Sequence, residues 1–222
     1  MPLTVISFTP YLSGNSGLRR INDEWDAFKF IQALKGNIIN GYATVPVLGH
    51  RYRLDSTNAE RTLKWFGRMA STYILRKELD APIILIPVPN SSCCTQNDEV
   101  PRTVALAEAI TGEQTHTSVL DCLRWTRQME SASKEGGTRD PQELYDNLVL
   151  TSRIREKGTY VLIDDMKTTG GHLQAARFML LEQETECDWA ICGGRTVWDH
   201  QQSPFTLAEE ELDDWSPHPT LY

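Results

Sequence analysis

The sequence predicts an α/β protein: a central, mainly parallel sheet flanked by helices, preceded by an N-terminal α+β extension. Three observations carry this. Residues 82–89, Pro-Ile-Ile-Leu-Ile-Pro-Val-Pro, form the continuous apolar run expected of a strand buried on both faces. Residues 160–163, Tyr-Val-Leu-Ile, form a second run, followed at its C-terminal end by Asp164-Asp165 and the turn Lys167-Thr168-Thr169-Gly170-Gly171-His172. Stretches with helical spacing stand between and after such runs, and strands alternating with helices imply a parallel sheet whose ligand sits beyond the strands' C-terminal ends.

Taken in order, residues 3–12 read as a strand leading into a Gly-Asn-Ser-Gly loop. Trp25, Phe28, Ile31 and Leu34 recur at helical spacing, which predicts a helix over 23–35 ended by Gly36-Asn37. Residues 41–54 alternate loosely and predict one or two strands. Leu63, Phe66, Met69, Ala70, Tyr73 and Ile74 predict a helix over 57–79, with Ser56-Thr57-Asn58 and Glu60 as capping signals. After the 82–89 strand comes a polar loop at 90–100, and Pro101 opens a helix to Ile110. Residues 119–123 read as a strand. The polar stretch 124–146 has no apolar period and is expected to be a mobile, functional loop. Strand character resumes at 148–150, the 160–172 stretch leads into a helix over 173–183, and 188–192 form a strand ending at Gly193-Gly194. The expected division is an extension over 1–80, a core over 81–200 and an acidic, exposed tail over 201–222.

The composition narrows the function. The chain has 222 residues and a formal charge of −8, enough length to bury a core without disulfides or metal. The charge is uneven: residues 1–80 carry 11 Lys/Arg against 7 Asp/Glu, and the remainder 11 against 23. The acidic balance argues against broad nucleic-acid binding, while the basic N-terminal third leaves room for a local patch. Five cysteines without CxxC spacing point to free thiols and a cytoplasmic setting. No apolar stretch is long enough for a membrane span, and no P-loop or GxGxxG is present. A homodimer is the default assembly.

The chemistry concentrates in residues 160–172. A loop of small residues at a helix N-terminus offers backbone N–H groups, two hydroxyls and the positive end of the helix dipole to an anion. Two carboxylates stand beside it. This strand, acid pair and Thr/Gly turn resemble the phosphoribosyl pyrophosphate (PRPP) motif of type I phosphoribosyltransferases, with His172 where the turn usually ends in Thr or Ser. Within that family the chain resembles the ComF-like, or amidophosphoribosyltransferase-like, group. Ile86-Pro87-Val88-Pro89-Asn90-Ser91 is similar to the start of that group's pyrophosphate loop, and Pro101–Ile110 to the helix that follows. Leu123-Arg124-Trp125-Thr126-Arg127-Gln128 is similar to the Arg-rich start of its catalytic loop, and Arg139 with Asn147 to the close of it. In the first 80 residues the likeness rests on Phe30, Leu34, Lys35 and Gly36.

The resemblance implies a type I phosphoribosyltransferase-like fold and transfer of a phosphoribosyl group from PRPP to a nitrogenous acceptor or nucleotide, with Mg²⁺ as cofactor. It implies catalytic roles for Asp164, Asp165, Arg124, Arg127 and Lys134. The 5-phosphate would lie on Lys167, Thr168, Thr169, Gly170, Gly171 and His172, and the pyrophosphate on Asn90, Ser91, Ser92, Arg102 and Arg139. Val197, Trp198 and Asp199 would form a hood over the base. Asp164 and Asp165 would face the metal through ribose hydroxyls or water. The 90–100 loop departs from the group's pattern in holding no Lys or Arg. That departure motivates a rival expectation, a non-catalytic binding module on the same fold; the ComF-like resemblance itself suggests a second, an accessory protein of DNA uptake or processing.

Overall fold

The computed structural model describes residues 2–130 and 137–218. In chain order its elements are β1 (Leu3–Leu12), α1 (Asn22–Leu34), β2 (Tyr42–Val47), β3 (His50–Asp55), α2 (Arg61–Arg76), β4 (Ile83–Pro87), α3 (Arg102–Thr111), β5 (Thr117–Val119), β6 (Leu123–Trp125), α4 (Pro141–Asp146), β7 (Leu148–Leu150), β8 (Thr159–Lys167), α5 (Gly171–Leu181), β9 (Trp189–Val197) and β10 (Ala208–Leu212). Six strands make one sheet in the order β10-β1-β9-β8-β4-β5. Five run parallel, and β10 closes one edge antiparallel to β1. The predicted α/β class with a mainly parallel sheet is what forms.

The apolar runs explain the layers. Along a strand successive side chains point to opposite faces, so a run with no polar alternation needs a core on each side. Ile6, Phe8, Ile83, Leu85, Val161, Ile163 and Ile191 share one core with residues of α1, α2, α3 and the β2–β3 hairpin. Val5, Ile84, Ile86, Tyr160, Leu162 and Ala190 share the other with α4, α5 and the β6–β7 ribbon. No helix among the described residues is long and apolar enough to cross a membrane. All five cysteines are free and buried. Burial pushes the Cys122 and Cys187 thiols up to about 12, the state of inert thiols.

Several expectations need correction. The expected strand over 119–123 is two strands in different sheets. β5 pairs with β4, and after residues 120–122 the chain pairs as β6 with β7 in a separate ribbon. The expected loop over 124–146 begins with β6 and ends with α4. Asp140 caps that helix by accepting from the Gln142 N–H at 3.1 Å, and Pro141 stands in the first turn. Only Leu144 of its six residues is buried, so no apolar period could be seen. β8 continues through the acid pair to Lys167, and β9 through Gly193-Gly194 to Val197, because their neighbours pair them that far: Asp164 with Cys192, Lys167 with Arg195, Leu12 with Val197. The helix expected from residue 57 starts at Arg61, and Glu60 makes no capping hydrogen bond through its side chain. Asp55 instead ties the preceding turn, accepting from both the N–H and the hydroxyl of Thr57.

Of the expected extension, β1 lies inside the main sheet between β9 and β10. The acidic tail is also no free tail. Leu3 pairs with Leu212 and Ile6 with Glu209, and the carboxylates alternate onto basic partners. Glu209 takes Lys77 at 2.7 Å and the Tyr73 hydroxyl at 2.8 Å, and Glu210 takes Lys167 and, at 3.5 Å, Arg195.

Candidate functional site

The site gathers at the C-terminal ends of β4 and β8, with the end of α1 laid across β9. α1 reaches it because Gly193 and Gly194 carry no side chain. A Cβ on Gly193 would lie 2.7 Å from Leu34 Cδ1 and 2.9 Å from the Asp165 carbonyl oxygen. One on Gly194 would lie 2.8 Å from Ile31 Cδ1 and 2.9 Å from the Thr9 carbonyl oxygen. The helix therefore sits on bare backbone, and its capping residue Lys35 reaches Asp165, Nζ to Oδ1 3.3 Å. Arg102, the first residue of α3, donates from Nε to the Leu34 carbonyl at 3.0 Å. A guanidinium on that carbonyl serves one of the acceptors a helix leaves open at its C-terminal end.

The electrostatics follow from burial. Asp164 is pushed well above the usual carboxylate range, first by burial and then by the charge of Asp165; the backbone N–H groups of Asp165 and Met166 and the Lys35 ammonium oppose this. Burial alone would lower Lys35, but Asp165 and then Asp164 outweigh it and hold the ammonium above its ordinary value. His172, in the first turn of α5, is lowered to about 4, chiefly by burial, with Lys35 adding to the effect and Asp165 opposing it. Its ring stands edge-on to Trp125 at 5.6 Å between centroids. The imidazole is thus uncharged at neutral pH, with one N–H and one lone pair to offer.

The sign of the His172 shift gives a stability prediction. Its pKa falls from 6.5 unfolded to about 4 folded, so the unfolded chain binds more protons in between. This contribution is whole above the unfolded value and is lost as pH falls towards the folded one, about 3 kcal/mol in all. Urea midpoints at pH 7 and pH 4.5 should differ less in His172→Asn than in the wild type.

Trp125 organises the other wall. It is fully buried, and its Nε1–H is shared between the carbonyls of Pro89 (3.2 Å) and Asn90 (3.1 Å). Its backbone also ties the loop, the N–H donating to Cys93 and the carbonyl accepting from Thr95. Asn90 donates from Nδ2 to Ser92 Oγ at 2.7 Å, and its Oδ1 accepts from Cys93 Sγ at 3.1 Å and from the Arg102 N–H at 3.3 Å. Ser91 accepts through its carbonyl from the Met129 N–H. Thr103, buried on α3, donates to the Val88 carbonyl at 2.7 Å. Trp125→Phe removes the donor from two carbonyls and is expected to cost about 1–3 kcal/mol in urea unfolding.

The remaining expected residues divide. At the glycine turn, Gly170 adopts φ 94 as the cap of α5, and a Cβ there would meet Leu212 Cδ1 of β10 at 2.6 Å. Gly171 lies under the Arg139 carbonyl, 2.4 Å from where its Cβ would be. Thr168 is partly buried and Thr169 exposed. Lys167 pairs with Glu210 rather than standing open to a ligand. Arg124 forks onto Asp121 at 2.5 and 2.7 Å, and Asp121 raises its pKa further. Arg127 donates from Nε to Asn147 Oδ1 at 3.0 Å. Lys134 lies outside the described residues. Val197 ends β9, its carbonyl accepting from the Ser13 N–H. Trp198 and Asp199 are exposed, and the next residue, His200, contacts the buried Glu24 of α1 at 3.0 Å. Lys35, which the sequence marks only as part of the resemblance in the first 80 residues, is brought to the acid pair by the fold. A lysine directly before Gly36 at the predicted helix end was the available signal.

The donor set does not fit a resident divalent ion. One carboxylate is drawn to the proton by burial, the other is already paired with an ammonium, and no group of three or more His, Cys, Asp or Glu able to hold a metal occurs among the described residues.

No family model matches the chain, and no curated protein does. Among solved structures it is similar to the adenine phosphoribosyltransferase of Thermoanaerobacter pseudethanolicus, at 14% identity and a TM-score of 0.41 over 73% of this chain and 86% of that one. It is also similar to that of Saccharomyces cerevisiae, solved with an imino-altritol bisphosphate and adenine, at 16% identity and a TM-score of 0.37 over 76% and 89%. Likeness at these scores adds no weight to the geometry.

Proposed function

We propose that the chain binds PRPP and transfers its phosphoribosyl group to a nitrogenous acceptor, releasing pyrophosphate, in the manner of the ComF-like group it resembles in sequence. The observation that carries this is the acid pair on β8, joined by a short turn to a glycine cap that opens α5 at the C-terminal side of a parallel sheet. In this reading Asp164 and Asp165 accept from the ribose 2- and 3-hydroxyls, and their charge favours the cationic ring that forms as the bond from C1 to pyrophosphate breaks. The leaving oxygen takes the bonding pair, the acceptor nitrogen forms the new bond to C1, and its proton passes to a base or to solvent. The N-terminal N–H groups of α5, with the Thr168 and Thr169 hydroxyls, take the 5-phosphate. His172, kept neutral, adds a hydrogen bond without adding charge. An Mg²⁺ that travels on the pyrophosphate belongs to the substrate.

Calorimetry with PRPP tests the binding half. Micromolar affinity in the wild type and its loss in an Asp164→Asn/Asp165→Asn double variant are expected; equal affinity in both would overturn the reading. Pyrophosphate release over a panel of bases tests the rest. Binding without release from any base identifies a non-catalytic module, a reading favoured by the engagement of Arg124 with Asp121 and Arg127 with Asn147.

A further inference from the structure

A pyrophosphate is a polyanion, and the 90–100 loop brings no cation to it. The basic residues expected to serve instead are largely committed. Arg102 spends Nε on the Leu34 carbonyl, Arg124 is forked onto Asp121, Arg127 is on Asn147, and Lys167 is on Glu210. Lys35 differs from all of these in its partner. It is held by Asp165, one of the two carboxylates that a bound sugar's hydroxyls would claim, so the same ligand that needs a cation also loosens this one.

The backbone beneath Lys35 is fixed, while its side chain is held at its tip by Asp165. α1 is seated on Gly193 and Gly194, and Arg102 clamps the last helical carbonyl. Beyond the cap, Gly36 takes φ 78 and turns the chain away. The Lys35 side chain remains 32% exposed, with a four-carbon stem that lets the ammonium turn without moving the helix.

We infer that Lys35 takes the place of a divalent cation in this site, its ammonium passing from the acid pair to the pyrophosphate of a bound donor sugar, so that the chain binds PRPP without Mg²⁺. This rests on the PRPP reading above. In the free protein the ammonium is held by Asp165. In the complex the carboxylates accept from the ribose hydroxyls, and the ammonium donates to the phosphate oxygens. No bond is made or broken in the exchange, and the net charge of the site is unchanged by it.

The test is calorimetry of the full chain with PRPP, once in EDTA and once in excess Mg²⁺, on the wild type, Lys35→Met and Lys35→Arg. The wild type should bind in EDTA with a Kd within about threefold of that in Mg²⁺. Lys35→Met should lose about 10- to 100-fold in EDTA, the range of one charge-assisted hydrogen bond, and regain most of it in Mg²⁺. Lys35→Arg, which keeps the charge, should stay within about tenfold of the wild type in EDTA. A merely structural lysine would give a deficit that Mg²⁺ does not restore, and that result overturns the inference. So does wild-type binding that appears only with Mg²⁺, or Lys35→Met binding in EDTA as the wild type does; in both cases the PRPP reading stands. Absence of wild-type binding in either condition removes the PRPP reading itself.

Discussion

Asp164→Asn is expected to yield a protein that is more stable than the wild type and, on the proposed function, binds PRPP about 100-fold more weakly. The two effects have one cause. The Asp164 carboxylate is held in a buried position beside a second negative charge, and both push its pKa up. Its folded pKa lies above its unfolded one, so its contribution to stability is whole at low pH and is lost as pH rises through the folded value. The amide keeps the shape and can keep the hydrogen bond that Asp164 Oδ1 accepts from the Asp165 N–H at 2.7 Å, while removing the cost of the charge. The gain should be on the order of 2 kcal/mol at pH 8 and should shrink towards pH 5, read from urea midpoints at the two pH values. The affinity falls because an amide offers one acceptor where the carboxylate offers two. Asp165→Asn should behave oppositely in stability, because it strands the Lys35 ammonium that Asp165 now holds. Equal stability curves for wild type and Asp164→Asn from pH 5 to pH 8 would refute the account of the site's electrostatics.

Gly193→Val carries the largest expected loss of stability. Its Cβ would press on Leu34 Cδ1 at 2.7 Å, which can give, and on the Asp165 carbonyl at 2.9 Å, which cannot without moving β8. Overpacking of this kind costs about 3 kcal/mol, or about 6–12 °C in Tm for a chain this long. Because α1 must lift, Lys35 leaves Asp165 and PRPP binding falls with it. Gly14→Ala is the control, since a Cβ on Gly14 meets nothing within 4 Å. Its Tm should stay within about 2 °C of the wild type. A folded Gly193→Val protein with wild-type affinity would show that α1 does not position the site.

The parts legible in the sequence were those whose physics is local. The runs at 82–89 and 160–163 announced strands covered on both faces, and the Asp-Asp-x-x-Thr-Thr-Gly-Gly spacing announced the glycine turn that opens α5. Those features need no knowledge of what lies across the sheet. The hidden parts depend on residues far apart in the chain. Glu209 and Glu210 read as a solvated acidic run because their partners, Lys77, Tyr73, Lys167 and Arg195, are named only by the fold. Gly193-Gly194 read as a strand end because the helix that needs their bareness is some 160 residues earlier. Arg124 read as the start of a functional loop because its partner Asp121, three residues back, stood in what read as a strand.

The position of β1 has a consequence for how the molecule comes into being. Val5 pairs on one side with Ala190 and on the other with Glu210. β1 therefore waits for two strands nearly 200 residues downstream before either of its edges is covered. Topologies so rich in distant contacts fold in about milliseconds to seconds rather than microseconds. Until then Leu3–Leu12 is an open apolar ribbon, the kind of segment that chaperones hold and that aggregates recruit. A chain cut after Asp188 should keep the β4–β8 half of the sheet and lose its solubility, because β1 would then have no neighbour at all.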